Sequence, residues 1–167
     1  MTSGEIRITT DRGGYRLECS MPVPVALGEA FAFFEDPGNL ARITPPWLNF
    51  RITSPGPVQM RQGAEIAYQI RWLGIPVNWK TVIAEYEPPF FFVDEQASGP
   101  YARWRHRHEF KPAEDGAIVY DRVEYALPFG PLGRLAHSLV VRRQLLEIFD
   151  YRRKALAGIL TGMAPAQ

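Results

Sequence analysis

The chain has 167 residues, with 19 Lys plus Arg against 18 Asp plus Glu, so its charge gives no reason to expect nucleic acid or an anionic membrane as partner. That length suits one domain spanning residues 1–167, with its core from about residue 15 to 160. Cys19 stands alone, which excludes an internal disulfide and a multi-cysteine metal site. The opening MTSGEIRITT lacks a signal-peptide pattern, and no run of about 18 apolar residues could span a membrane, so the expectation is a cytoplasmic protein.

In chain order, Tyr15, Leu17, Cys19 and Met21 alternate with Arg16, Glu18 and Ser20, the period of a half-buried first strand. Leu27, Ala30, Phe31 and Phe34 then recur at helical spacing, and Asp36-Pro37-Gly38 separates that short helix from a second turn over 39–43. The irregular Thr44-Pro45-Pro46-Trp47-Leu48-Asn49-Phe50 brings large apolar side chains together, either to cap a core or to line a cavity mouth.

A meander of strands follows. A short one covers 50–53; Ala64, Ile66, Tyr68, Ile70 and Trp72 form the apolar face of the next; Val77, Trp79, Thr81 and Ile83 form that of a partner reached through a turn at Gly74-Ile75-Pro76. Further strands run over 90–96, 101–111 and 117–127, the last pair joined by Asp115-Gly116. The stretch 131–160 reads as one helix, roughly 45 Å long at 1.5 Å per residue. Its expected apolar stripe is Leu132, Leu135, Leu139, Arg142, Leu146, Phe149, Arg153, Leu156 and Leu160. Arg142 and Arg153 interrupt it, with their stems along apolar surface or their heads in a polar pocket. Leu145, Ile148 and Ile159 make a second apolar line that would meet loops or another subunit, so a homodimer is possible.

About seven strands, two short helices after the first, and a long last helix predict an α+β architecture. One curved antiparallel sheet wraps the C-terminal helix and leaves a cavity between them.

The most informative strand is Trp104-Arg105-His106-Arg107-His108-Glu109-Phe110. Alternation places Trp104, His106, His108 and Phe110 on one face and Arg103, Arg105, Arg107 and Glu109 on the other, which reads as a solvated face rather than a phosphate-binding patch. A two-residue turn at Asp115-Gly116 would pair Phe110 with Asp121, His108 with Val123, His106 with Tyr125 and Trp104 with Leu127. His106, His108, Asp121 and Tyr125 would then share one concave, mainly apolar surface. Three roles stay open for them: mutual satisfaction with a few waters, anchoring the polar end of an apolar ligand, or a chemical role as a general base or as a two-His, one-carboxylate metal site. A bare H-x-H needs a verified third ligand, no nucleophile is evident, and P-loop, G-x-G-x-x-G and G-x-S-x-G motifs are absent, so no metal and no cofactor is expected.

Four strings give the chain, from about Tyr15 to Leu160, a resemblance to the START-like, or SRPBCC, superfamily. They are Ile43-Thr44-Pro45-Pro46-Trp47-Leu48-x-Phe50, Gly99-Pro100-Tyr101-x-x-Trp104-x-His106-x-His108-x-Phe110, Asp121-x-Val123-x-Tyr125-x-Leu127-Pro128-Phe129-Gly130, and Ile148-Phe149-x-Tyr151-Arg152. More closely, the chain resembles the bacterial ligand-binding SRPBCC domain proteins. The resemblance implies the helix-grip fold of the birch-pollen allergens and a cavity for a small hydrophobic or amphipathic ligand such as a lipid, polyketide, quinone or sterol. It is shared by carriers, cyclases and co-chaperones, so it does not select one activity. Three functions follow as expectations. In a binding or carrier protein, Trp47, Phe50, Tyr68, Trp72, Trp79, Trp104, Phe110 and Phe149 are the wall and His106, His108, Asp121 and Tyr125 the anchors. In a cyclase or dehydratase, His106 or His108 is the acid/base, with Asp121 or Tyr125 orienting it. An interaction or co-chaperone module would leave the cavity vestigial.

Overall fold

The computed structural model describes residues 5–162. Strands β1 (Ile6–Asp11) and β2 (Gly14–Val23) precede helix α1 (Leu27–Glu35) and two 3-10 segments, Pro37–Ile43 and Pro46–Leu48. There follow β3 (Arg51–Ile52), β4 (Glu65–Trp72), β5 (Ile75–Glu87), β6 (Phe91–Ser98), β7 (Arg103–Ala113) and β8 (Gly116–Ala126). The final helix runs through α2 (Pro131–Ala136), a π-helical segment (His137–Val141) and α3 (Arg142–Thr161).

All eight strands form one antiparallel sheet in the order β1-β2-β8-β7-β6-β5-β4-β3. The extra strand is β1, whose Ile6 and Ile8 alternate with Arg7 and Thr9 and pair with Cys19 and Leu17 of β2. The short helices therefore follow the second strand rather than the first. Two register shifts between β5 and β6, at Lys80/Thr81 and Ile83/Glu85, are the irregularities that bend a sheet. The sheet packs its concave side on α1 and α3: α1 lies on β7 and β8, and α3 touches β1, β2 and the segment Pro37–Ile43. The arrangement is the helix grip. Among the described residues no helix is long and apolar enough to cross a membrane.

The β7–β8 register differs from expectation by two residues. Phe110 faces Val119, His108 faces Asp121, His106 faces Val123 and Trp104 faces Tyr125. Glu114 and Asp115 make the turn, and Gly116 closes it as a ladder partner of Ala113. Gly116 has φ +138°, and a Cβ there would stand 2.2 Å from the Val23 carbonyl oxygen, so only glycine fits where β2 ends against it. A two-residue slip preserves the parity of every side chain, so the inward face is as expected while the partners across the ladder change. Outside, Arg105 pairs with Glu85 and Glu95, and Arg107 with Glu85 and Glu109.

The final helix also turns a different face inward. Gly133, His137, Val141, Leu145, Phe149, Arg152, Leu156 and Leu160 are buried, whereas Leu132, Leu135 and Leu139 are exposed. Steps of four residues overshoot an α-helical turn by roughly 40° each. The wider turn of the π segment absorbs that drift and keeps the stripe on the sheet. A Cβ on Gly133 would meet the Pro128 carbonyl oxygen at 2.1 Å, so this glycine lets the helix start press against the preceding loop. Leu145, expected on a second line, is buried, and Arg142 points outward.

Candidate functional site

Between the sheet and the helix lies a cavity of about 200 Å³. Its wall is mainly apolar. Of the expected residues, Phe50, Tyr68, Trp72, Trp79, Trp104, His106, His108 and Phe149 line it. The Trp72 indole donates to Gln144 Oε1 of α3, tying the β4–β5 hairpin to the helix.

Four expected residues stand elsewhere. Trp47 is exposed, because the 3-10 turn over Pro46–Leu48 sends Leu48 inward in its place. Phe110 is buried against Phe31, Phe34 and Phe92 beneath α1. Asp121 lies behind the two histidines, completely enclosed. Tyr125 does not join them: its hydroxyl is 2.8 Å from His137 Nε2, and His137 stacks on Tyr15 with ring centroids 3.4 Å apart.

The polar centre is built from three strands and the helix. His106 Nε2 is hydrogen-bonded to Asp121 Oδ1 at 2.8 Å, and His108 Nδ1 stands 2.8 Å from the same oxygen as a close charge contact rather than an aligned hydrogen bond. On the opposite side, His108 Nε2 lies 3.0 Å from Asp94 Oδ2, and His106 Nδ1 lies 3.8 Å from it. The two imidazoles lie with centroids 3.8 Å apart. The Phe92 ring stacks on His108, and Phe149 approaches His106. From α3, Arg152 brings Nη1 to 3.8 Å from Asp121 Oδ2, while its Nε and Nη1 have no hydrogen-bond partner.

Burial works against every charge here, and the neighbours decide the outcome. Burial alone would raise both carboxyls. The hydrogen bond from His108 and the charges of both imidazoles nevertheless hold Asp94 below the usual carboxylate range, and the imidazole charges and hydrogen bonds hold Asp121 well below it. For His106, burial and the neighbouring His108 win over Asp121 and its pKa falls; for His108, the pull of Asp121 and then Asp94 outweighs burial and its pKa rises. The centre therefore holds one imidazole inclined to keep a proton beside one inclined to lose it, between two carboxylates. Such a pair can hold and pass a proton at the cavity wall.

Two members were not identified from sequence. Asp94 has the parity of Phe92 on β6, and an acidic residue in phase with a buried aromatic was the available signal. Arg152 occupies the polar-pocket role considered for Arg142 and Arg153, and only the true phase of the helix distinguishes the three.

The profile of the family described as polyketide cyclase / dehydrase and lipid transport matches residues 21–148. No curated protein sequence matches the chain. Among solved structures, the chain is similar to a protein of Rhodobacter sphaeroides, at 19% identity and TM-score 0.66, over 95% of this chain and 99% of that one. It is also similar to a START superfamily protein of Mycobacterium smegmatis, at 12% identity and TM-score 0.62, over 90% and 99%. A third likeness is the ginseng major latex-like protein 151 of Panax ginseng, at 10% identity and TM-score 0.63, over 87% and 96%. At these identities the structural likenesses establish the fold.

Proposed function

The chain belongs to the polyketide cyclase / dehydrase and lipid transport family, with the START-like (SRPBCC) helix-grip fold, and from that membership we propose that it binds a small amphipathic molecule in the cavity. The apolar body lies against Tyr68, Trp72, Trp79, Leu145 and Phe149, and the polar group meets Asp94, His108 and Arg152. The observation that carries this reading is the form of the wall: an apolar cavity whose buried charged groups gather in one patch, with a buried guanidinium lacking hydrogen-bond partners at Nε and Nη1. A buried donor without a partner costs about 1–3 kcal/mol, more for a charged group, so an acceptor on a ligand is favoured there. A cavity of about 200 Å³ is room for a small molecule.

Native mass spectrometry of the purified protein, beside the same sample denatured in acid, tests the proposal. The expected result is extra mass in the small-molecule range that is lost on denaturation, or acquired when the protein is incubated with short-chain fatty acids and aromatic polyketides. A clean mass that none of these compounds changes would overturn it.

A second reading, a cyclase or dehydratase, is favoured by one observation: His108 faces the cavity while held between Asp94 and Asp121, the geometry of an oriented acid/base. It requires a turnover abolished by His108→Ala.

A further inference from the structure

We propose that Asp94, His106 and His108 bind one divalent first-row transition-metal ion at the cavity wall. The site stands whether or not an amphipathic ligand fills the cavity.

Geometry comes first. Asp94, His106 and His108 each offer one ligand atom, and these atoms all lie within 4.8 Å of one another; Asp94 Oδ2, His106 Nδ1 and His108 Nε2 are the atoms that face one another on the side away from Asp121. Ligands about 2.1 Å from a tetrahedral metal stand roughly 3.4 Å apart. The separations of 3.0 Å from Asp94 to His108 and 3.8 Å from Asp94 to His106 bracket that value.

The rear nitrogens face a second carboxylate. His106 Nε2 is hydrogen-bonded to Asp121 Oδ1, and His108 Nδ1 stands 2.8 Å from the same oxygen, a distance that two unprotonated acceptors do not share. Without a metal, His108 Nε2 is hydrogen-bonded to Asp94 Oδ2; a metal ion would displace the shared proton, and with both rings neutral and their remaining protons turned towards Asp121, His106 Nδ1 and His108 Nε2 would present lone pairs to the ion beside the Asp94 carboxylate. Three acceptors then face one another, and a positive charge must lie among them: either a proton or a metal ion. A carboxylate behind ligating histidines is the usual device that fixes their tautomer and orientation.

Charge and access agree with the ion. The Asp94 and Asp121 carboxylates, offset by the single Arg152 guanidinium, leave the centre with one net negative charge when the imidazoles are neutral. A divalent ion reverses it to one net positive charge, which favours an anionic oxygen on an incoming ligand. Asp94, His106 and His108 all line the cavity, so three protein ligands leave coordination positions open on that side, as in sites that accept substrate rather than in closed structural ones. Two imidazoles and one carboxylate select Zn²⁺, Fe²⁺ or Co²⁺ over Mg²⁺ and Ca²⁺, which prefer all-oxygen shells.

The test is titration of chelator-treated protein with Co²⁺, read by visible d–d absorption, followed by competition with Zn²⁺ and measured also by calorimetry. The expected result is a band saturating at one equivalent and displaced by Zn²⁺. It is lost in His108→Ala and in Asp94→Asn, whose amide preserves shape. Asp121→Asn should keep the stoichiometry and weaken affinity about 10–100-fold. Circular dichroism verifies that each variant is folded. If His108→Ala fails to fold, the Asp94→Asn and Asp121→Asn pair decides. Absence of a saturable band, or binding undiminished in Asp94→Asn, would overturn the site and leave a proton as the charge between the three atoms.

Discussion

Asp121 faces His108 directly across the β7–β8 ladder, with its Oδ1 2.8 Å from His108 Nδ1. Because the same oxygen is hydrogen-bonded to His106, and the Asp121 side chain also faces Arg152, this one enclosed carboxylate compensates three groups at once. Removing it leaves an uncompensated charge in the core. Asp121→Ala should therefore cost about 3–5 kcal/mol, a fall in Tm of about 10 °C for a chain of this length. Urea denaturation measures it, and a loss below about 1 kcal/mol would show that the histidines and Arg152 do not depend on Asp121.

Arg152 is the cation facing the cavity, so its removal should discriminate between ligands. Arg152→Met should weaken an anionic naphthalene-sulfonate dye at least about tenfold, equivalent to about 1.4 kcal/mol, and leave a neutral naphthalene analogue nearly unaffected. Fluorescence titration gives both affinities. An equal effect on the two compounds would mean that Arg152 shapes the cavity without contacting the polar group.

The phase of the final helix is open to a direct comparison. Leu145 is 3% exposed and Leu139 is 69% exposed. Leu145→Ala should cost about 2–5 kcal/mol, and Leu139→Ala should stay within about 0.5 kcal/mol. The reverse order in chemical denaturation would restore the stripe expected from α-helical spacing alone and contradict the π segment.

His137 should make stability sensitive to acid. Burial, and then the Arg142 charge, lower its pKa from the ordinary 6.5, and its ring stacks on Tyr15 with Nε2 at the Tyr125 hydroxyl. Above about pH 6.5 it is neutral folded and unfolded, and no penalty arises. As pH falls below that value the unfolded chain takes up a proton that the folded one resists, so stability declines until the lowered folded pKa is passed. The advantage of wild type over His137→Asn should shrink between about pH 7.5 and pH 5 in paired urea titrations. An advantage that grows on acidification would reverse the sign assigned to His137.

The alternation and spacing of apolar residues carried the architecture. Period-2 runs such as Trp104-x-His106-x-His108-x-Phe110 state which side chains face inward whatever the register, because a slip of two residues leaves every parity intact. The inward face of β7 and the cavity lining by Tyr68, Trp72 and Trp79 follow from that rule, while the long last helix was legible from apolar residues at three- and four-residue spacing. β1 was the strand passed over, since six residues with only two buried-side isoleucines give a weak alternation.

What the sequence could not determine depends on distances across the fold. Whether Asp121 sits opposite His108 or diagonal to it depended on which residues make the turn: Glu114 and Asp115 do, with Gly116 already paired to Ala113 in the ladder. Whether Arg142, Arg152 or Arg153 enters the cavity depended on a single wide turn in the helix, because one residue rotates a helical face by about 100°. Asp94 joins the histidines only because β6 lies beside β7 in the sheet. Local periodicity determines the faces of strands, whereas the meeting of Asp94, His106, His108, Asp121 and Arg152 is a property of strand order and helix phase, which no local pattern encodes.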